Sequence, residues 1–304
     1  MDPAVSVIMN VRNGEAFLRE AMDSVFAQDF EDWELIVWDD CSTDSSAEIV
    51  HSYADSRMEY VLSPELVPLG RARQTALDRA RGEWVAYLDQ DDIWEPHKLR
   101  LQVERGAADP GIGLVYGRTL SFDGSGRRRD FDYKHEYEPL PQGNIFERLF
   151  SEACFIAMSA ILFRRSALQQ LGPVPEQVRM IPDYYMLLGV SQHHRAGAVE
   201  EVICHYRWHA DNMTFRYYKE LHHECLWMID KWSAALNPGL ADHRRRVHQT
   251  NIAYKEMQQW GTMAEGLSRL VRRGSLPYFL SRPFARTFRS LRRRVQRPYW
   301  LNAT

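Results

Sequence analysis

Residues 87–96 read Tyr-Leu-Asp-Gln-Asp-Asp-Ile-Trp-Glu-Pro. The apolar run Trp84-Val85-Ala86-Tyr87-Leu88 stops at Asp89, and Asp91 and Asp92 follow at once. Carboxylates that close raise one another's cost, and a partly buried one needs a partner. A solvated turn accommodates such a cluster. A divalent cation accommodates it better, because hard cations take carboxylate oxygens and remove the repulsion. The stretch therefore reads as a buried strand that delivers acids to its carboxyl end.

Working outward, Val5–Met9 and Glu34–Trp38 are short apolar runs rich in β-branched residues, suited to buried parallel strands. Glu15–Gln28 carries Ala16, Phe17, Ala21, Val25 and Phe26 at helical spacing, and a second helix follows the capping cluster Ser42-Thr43-Asp44. A strand near Met58–Leu62, a helix from about Gly70 to Ala80 and the strand Trp84–Leu88 complete the alternation. It predicts a doubly wound α/β unit. Such sheets bind ligands at the carboxyl ends of their strands. Asp39-Asp40 and Asp89–Asp92 both lie there. Further on, Gly113–Phe122, Phe155–Phe163 and Ala198–Tyr206 read as strands, 123–144 as a long loop, and Ile181–Val190 as a short helix. The Trp and Pro after the acids are expected to begin the next helix. From Tyr217 onward Trp, Leu, Met and Ile recur at helical spacing.

Composition is ordinary for a globular chain of 304 residues, 45% hydrophobic and 26% charged. Charge is unevenly placed. The net value is −3, yet from Gly266 onward there are ten arginines and no acid. A basic tail on an acidic body implies a polyanionic partner for the tail alone: anionic lipid, nucleic acid or another subunit. Aromatic and aliphatic residues interleave with those arginines, as in an interfacial helix on anionic lipid. No recognisable nucleic-acid-binding module accompanies them, so nucleic acid is not expected as a partner. Cys41, Cys154, Cys204 and Cys225 show no CxxC pairing, and the N-terminus has no secretory signature. Reduced thiols in a cytoplasmic protein, peripheral at the inner face of the membrane if the tail binds lipid, are the expectation. No P-loop, HExxH or nucleophile elbow is present, and Gly111-Ile112-Gly113 lacks the spacing of a dinucleotide fingerprint.

Residues 5–14, Val-Ser-Val-Ile-Met-Asn-Val-Arg-Asn-Gly, resemble the opening strand and turn of the family-2 glycosyltransferases. Residues 35–44, Leu-Ile-Val-Trp-Asp-Asp-Cys-Ser-Thr-Asp, are similar to that family's second-strand motif, and residues 82–96 to its metal motif. Leu162–Arg165, Pro182-Asp183-Tyr184 and Tyr206-Arg207-Trp208-His209 continue the likeness in order, so it covers most of residues 4–214. The resemblance implies a GT-A fold: a Rossmann-like α/β domain with a mixed sheet over 1–214. Its nucleotide-binding half spans about 1–110 and its acceptor-binding half about 111–214, and a helical region with the Arg-rich tail occupies 215–304. It also implies inverting transfer of a hexosyl or N-acetylhexosaminyl group from a nucleoside-diphosphate sugar, UDP favoured, to a glycan or lipid-linked acceptor of a surface polysaccharide.

Residue roles follow from the same resemblance. Val11, Arg12, Asn13, Asp39, Asp40, Arg73, Asp89 and Gln90 would hold the nucleotide, with Asp40 accepting a hydrogen bond from the base edge. Asp91, Asp89 and His209 would bind Mn2+ or Mg2+, which neutralises the leaving diphosphate. Asp92 would share either role or orient its neighbours, and Arg207 would bind phosphate or pair with an acid. Inverting transfer needs a carboxylate to take the acceptor's proton. Asp183 is the one acid where the family pattern has two or three, so it is the expected base. Arg12 stands where a tyrosine is common, and its guanidinium plane can also stack on a base. Cys41 replaces a common glycine, as if the turn tolerates a Cβ there. Two further classes compete: a nucleotidyltransferase, which would need a Gly-rich N-terminal loop, and a non-catalytic nucleotide-sugar-binding or membrane-scaffold protein. The sequence leaves oligomeric state open, a homo-oligomer included.

Overall fold

The structure, a computed structural model, describes residues 2–123, 125–126, 128–129, 139–152, 154–209, 212 and 217–260. The chain divides into two compact units, Met1–Arg216 and Tyr217–Thr304. In the first, strands β1 (Val5–Val11), β2 (Trp33–Asp39), β3 (Met58–Leu62) and β4 (Trp84–Tyr87) pair in parallel in the order β3-β2-β1-β4. β1 and β2 are apolar almost throughout and buried on both faces, which central parallel strands require. On one face Val5, Val7, Met9 and Val11 of β1 cluster with Leu18, Ala21, Met22 and Val25 of helix α1 (Leu18–Phe26). Burying each such aliphatic side chain contributes roughly 1.5–3 kcal/mol. Ile8 and Ile36, on alternate positions, are equally buried. Helices α2 (Ser46–His51) and α3 (Leu69–Leu77) complete the crossovers, α3 lying against β1 and β2.

Past β4 the sheet turns mixed. The remaining strands are β5 (Ile93–Trp94), β6 (Ile112–Asp123), β7 (Arg128–Arg129), β8 (Ile161–Arg164) and β9 (Arg195–Trp208). β8 runs antiparallel between β4 and β6, β6 is parallel to β9, and β5 closes the far end antiparallel to β9. Helices α4 (Lys98–Ala107), α5 (Phe146–Glu152), α6 (Arg165–Leu171) and α7 (Pro182–His193) surround this half. The strand order brings the carboxyl ends of β1, β2 and β4 side by side, with Val11 opposite Asp39 and Ile8 opposite Tyr87.

Three expectations need correcting. Trp94 does not begin a helix: Ile93-Trp94 stays extended because its backbone pairs with Cys204-His205 of β9, and α4 starts only at Lys98. The run 155–163 is not one strand. Met158–Ala160 forms a 3-10 turn, closed by Ala160 N–H on the Ala157 carbonyl, and only Ile161–Arg164 is strand. β9 runs Arg195–Trp208, beyond the expected Ala198–Tyr206 at both ends, because β6 pairs with it from Ile112 opposite Arg195 to Asp123 opposite Trp208; Glu200 and Glu201 fall at an irregularity in that pairing. Half of the expected 123–144 loop, and the Arg-rich tail entirely, lie outside the described residues, and Arg128-Arg129 within that loop pairs with β6 as strand.

The second unit contains helices α8 (Tyr218–Trp232) and α9 (Pro238–Trp260), joined through a 3-10 turn at Ser233–Ala235. Arg245 Nη2 of α9 donates to Asp230 Oδ1 of α8 at 2.7 Å. Two buried imidazoles face each other between the helices, His222 Nδ1 lying 2.9 Å from His248 Nδ1. Among the described residues no helix is long and apolar enough to cross a membrane.

Candidate active site

The turn after β1 and the turn after β2 are laced together. Asn13 Oδ1 accepts from Thr43 N–H at 2.8 Å, Asn13 N–H donates to Ser42 Oγ, and Gly14 N–H donates to Ser46 Oγ. Asp44 Oδ2 accepts from Glu15 N–H, and Glu15 Oε2 accepts in return from Ser45 N–H. Asn13 and Cys41 both sit in the left-handed region, at φ 49° and 60°. Cys41 is thus not merely tolerated: the turn demands the conformation that glycine adopts freely, and Cys41 takes it with a Cβ. Its thiol donates to the Ser63 carbonyl at 3.4 Å.

The two acids that end β2 differ in kind. Asp39 is buried and fully engaged, accepting from Ser42 N–H at 2.7 Å and from the Tyr60 hydroxyl at 2.8 Å. Asp40 accepts from Val67 N–H through Oδ1 at 3.1 Å, and among the described residues Oδ2 receives no hydrogen bond. Burial pushes the Asp40 carboxyl up, against the Val67 N–H and the Arg12 guanidinium, which draw it down; Asp39 adds to the rise. Val11 is buried in β1, and its carbonyl takes the Asp40 N–H at 2.8 Å.

Residues 89–92 are clamped on several sides. Gln90 makes a pair of bonds to the β1 turn, accepting from Arg12 N–H at 2.8 Å and donating to the Arg12 carbonyl at 3.1 Å. Gly14 is required for that fit, since a Cβ there would stand 2.7 Å from Gln90 Oε1. Asp89 Oδ1 accepts from Arg73 Nη2 at 2.9 Å, and Arg73 is only 3% exposed. Burial pushes the Asp89 carboxyl up, Arg73 draws it down, and the charges of Asp91 and Asp183 raise it again. Asp183, at the first turn of α7 behind Pro182, is therefore within electrostatic reach of the acids although 91 residues separate it from Asp92. Asp91 Oδ2 lies 2.7 Å from His209 Nε2, both side chains about one-fifth exposed.

Asp92 points the other way. It is 1% exposed, accepting from Arg207 N–H at 3.0 Å and from the Ser159 hydroxyl at 2.6 Å. Its carboxyl is pushed well above the usual range by burial, then by the neighbouring Asp91 and Asp89. It braces the turn and presents no oxygen to the cleft. Arg207 is likewise structural: its guanidinium lies 4.6 Å from the ring centres of both Phe17 and Phe122, donates to Glu20 Oε2 and donates to the Asp91 carbonyl. Of its two expected roles, pairing with an acid is the one realised. Ser159, Glu20, Phe17 and Phe122 were invisible to sequence reasoning. A lone polar residue in the apolar stretch Phe155–Phe163 was the available signal for Ser159.

Among the described residues no group of three or more His, Cys, Asp or Glu surrounds a common point as a metal cage would. The Asp91–His209 pair does fit a hard divalent ion of the type bound by one or two protein donors and completed by phosphate oxygens and water.

The family model for glycosyl transferase family 2 matches residues 6–172, spanning these turns. The chain belongs to glycosyl transferase family 2. As a glycosyltransferase it is 28% identical over 222 residues to the UDP-Glc:alpha-D-GlcNAc-diphosphoundecaprenol beta-1,3-glucosyltransferase WfgD of Escherichia coli, covering 72% of this chain and 83% of that one. Its fold is that of S. aureus TarS residues 1–349 solved with UDP-GlcNAc, at TM-score 0.66 and 18% identity, covering 89% and 80% of the two chains. The transferase also shares its fold with the mannosyltransferase PcManGT from Pyrobaculum calidifontis, solved with GDP-Man and Mn2+, at TM-score 0.63 and 19% identity over 95% and 83%. These likenesses bear out the mixed α/β GT-A fold read from the sequence.

Proposed function

We propose that this glycosyltransferase inverts the anomeric centre of a UDP-sugar while moving its hexosyl or N-acetylhexosaminyl group to a hydroxyl of a glycan or lipid-linked acceptor, in building a surface polysaccharide. One observation carries the reading: Asp40, Asp89, the Asp91–His209 pair and Asp183, from four separate stretches, converge at the carboxyl ends of β1, β2 and β4. The E. coli relative's acceptor, a sugar on diphosphoundecaprenol, supports the lipid-linked class.

The base preference follows from Asp40. With Oδ1 taken by Val67 N–H, the carboxylate keeps, among the described residues, one oxygen that receives no hydrogen bond. Uracil presents one ring N–H to it, whereas guanine presents two adjacent donors that want both oxygens. Asp89 takes the ribose, and Asp91 and His209 are the residues that would hold a divalent cation. Such a cation, when bound, neutralises the charge developing on the leaving group. Asp183 accepts the proton of the acceptor hydroxyl as its oxygen attacks the anomeric carbon, and the sugar–phosphate bond breaks with its electron pair passing to UDP. A site of this make-up disfavours the alternatives. Asn10–Gly14 holds one glycine, not the Gly-rich loop of a nucleotidyltransferase, and a scaffold has no use for an acid placed like Asp183.

The test is a thermal-shift panel of UDP, GDP, dTDP, CDP and ADP, each with Mn2+, Mg2+ or chelator. UDP with metal at ~100 times its dissociation constant stabilises by about 2.7 kcal/mol. Equal shifts with GDP would sink the base assignment. Asp183→Asn is expected to lower transfer by about 10²–10⁴-fold while UDP affinity stays unchanged; wild-type turnover in that variant removes Asp183 as the base.

A further inference from the structure

The cleft acids are held from behind by a residue of the other half of the domain. Ser159, fully buried, comes from the 3-10 turn preceding β8. Its hydroxyl accepts from Asp89 N–H at 3.1 Å and donates to Asp92 Oδ2 at 2.6 Å, joining the first and last acids of the turn. Its carbonyl accepts from Trp94 Nε1 at 2.7 Å, so the strand that follows the turn holds Ser159 in place. Trp94 is fixed in turn by the Lys98 ammonium, 4.0 Å from its ring centre. Asp91 lies between the two ends that Ser159 ties, and it is the acid in contact with His209.

We propose that Ser159 is a positioning residue that sets the metal-dependent part of donor binding, by holding residues 89–92 so that Asp91 faces His209. The proposal rests on the UDP and cation reading above. A hydroxyl has one proton to give and lone pairs to receive, and here it satisfies a buried carboxylate and a half-buried main-chain N–H together. Removing it leaves both short of a partner in a dry site, and the turn relaxes to recover them. The base contact at the end of β2 and the β1 turn are built independently of it, and the Asp89 carboxylate that takes the ribose keeps its separate bond from Arg73 Nη2.

The experiment titrates UDP into the full chain calorimetrically, once with Mn2+ and once with chelator, and takes the ratio of the two dissociation constants. Wild type is expected to bind at least tenfold tighter with Mn2+. Ser159→Ala is expected to lose about tenfold of that ratio, the worth of one hydrogen bond to a charged group, with chelator-arm affinity within about twofold of wild type. Ser159→Thr, which keeps the hydroxyl, restores the ratio. Trp94→Phe, which frees the Ser159 carbonyl, lowers the ratio by a smaller factor and serves if Ser159→Ala does not fold. An unchanged ratio in folded Ser159→Ala, or equal losses in both arms, overturns the positioning role while wild type still shows the metal effect. A wild type without any metal effect overturns the donor-site reading itself, and the Ser159 proposal with it.

Discussion

Cys41 and Lys98 each occupy a place that ordinary chemistry disfavours. A side chain in the left-handed region costs about 1–2 kcal/mol relative to glycine, less the entropy that glycine loses on folding. Cys41→Gly is therefore expected to stabilise the chain by roughly 0.5–1 kcal/mol in urea unfolding. Cys41→Val, adding a branch at φ 60°, destabilises it by more. Lys98 is buried with its ammonium on Gln102 Oε1 at 2.6 Å, and burial draws its pKa down to about 7. The unfolded chain holds that proton until near pH 10, so between pH 7 and 10 unfolding takes up a proton and stability rises with pH. Cys204 opposes this above about pH 8.5, because burial keeps its thiol protonated in the fold while the unfolded thiol ionises. The clean window is pH 7–8.5, where wild-type stability should climb by up to about 2 kcal/mol. Lys98→Met should be flat there; an identical slope in both proteins refutes the assignment.

Among the elements, β1, β2 and β4 were legible because a strand buried on both faces writes itself as an uninterrupted apolar run, and the acids at its end break that run sharply. What the sequence hid depends on partners far along the chain. β5 stays extended only because β9 pairs with it, so Trp94 and Pro96, good punctuation for a helix start, were overruled by a strand some 110 residues away. The division of labour among Asp89, Asp91 and Asp92 was hidden for the same reason: Ser159 and Arg207 decide which carboxylate is braced and which faces the cleft. Gln90 is the element-scale test. Gln90→Ala removes both bonds between the β1 turn and the acidic turn, and should cost about 1–3 kcal/mol with weaker UDP binding. Gln90→Glu keeps the acceptor for Arg12 N–H and loses the donor, so it should fall between the two.

At the scale of the whole molecule, the second unit carries a sensitivity to acid of its own. In the second unit, burial, followed by the Arg244 charge, draws His222 down to about 4 and His248 to about 2. Both are neutral in the fold, whereas unfolded histidine takes a proton near pH 6.5. Their contribution is therefore complete above pH 6.5 and drains away as pH falls toward 4. Helical signal from residues 217–260 should be lost in that window at a cost of about 1–2 kcal/mol per histidine by pH 5. His248→Gln should blunt the acid sensitivity, and an unchanged acid profile would remove the pair as its source.

The span of the contacts around the acidic turn also sets an order of assembly. The bonds lacing the β1 and β2 turns join residues about 30 apart, whereas those closing the turn from the other side join Asp92 to Arg207 and Asp91 to His209, over a hundred apart. Short loops close first and long ones last. During synthesis the nucleoside-facing turns can therefore form while the ribosome is still reading the second half, but the cation-facing pair cannot exist until His209 has emerged. A nascent or prematurely ended chain of this transferase would be able to hold a nucleotide and unable to spend its sugar.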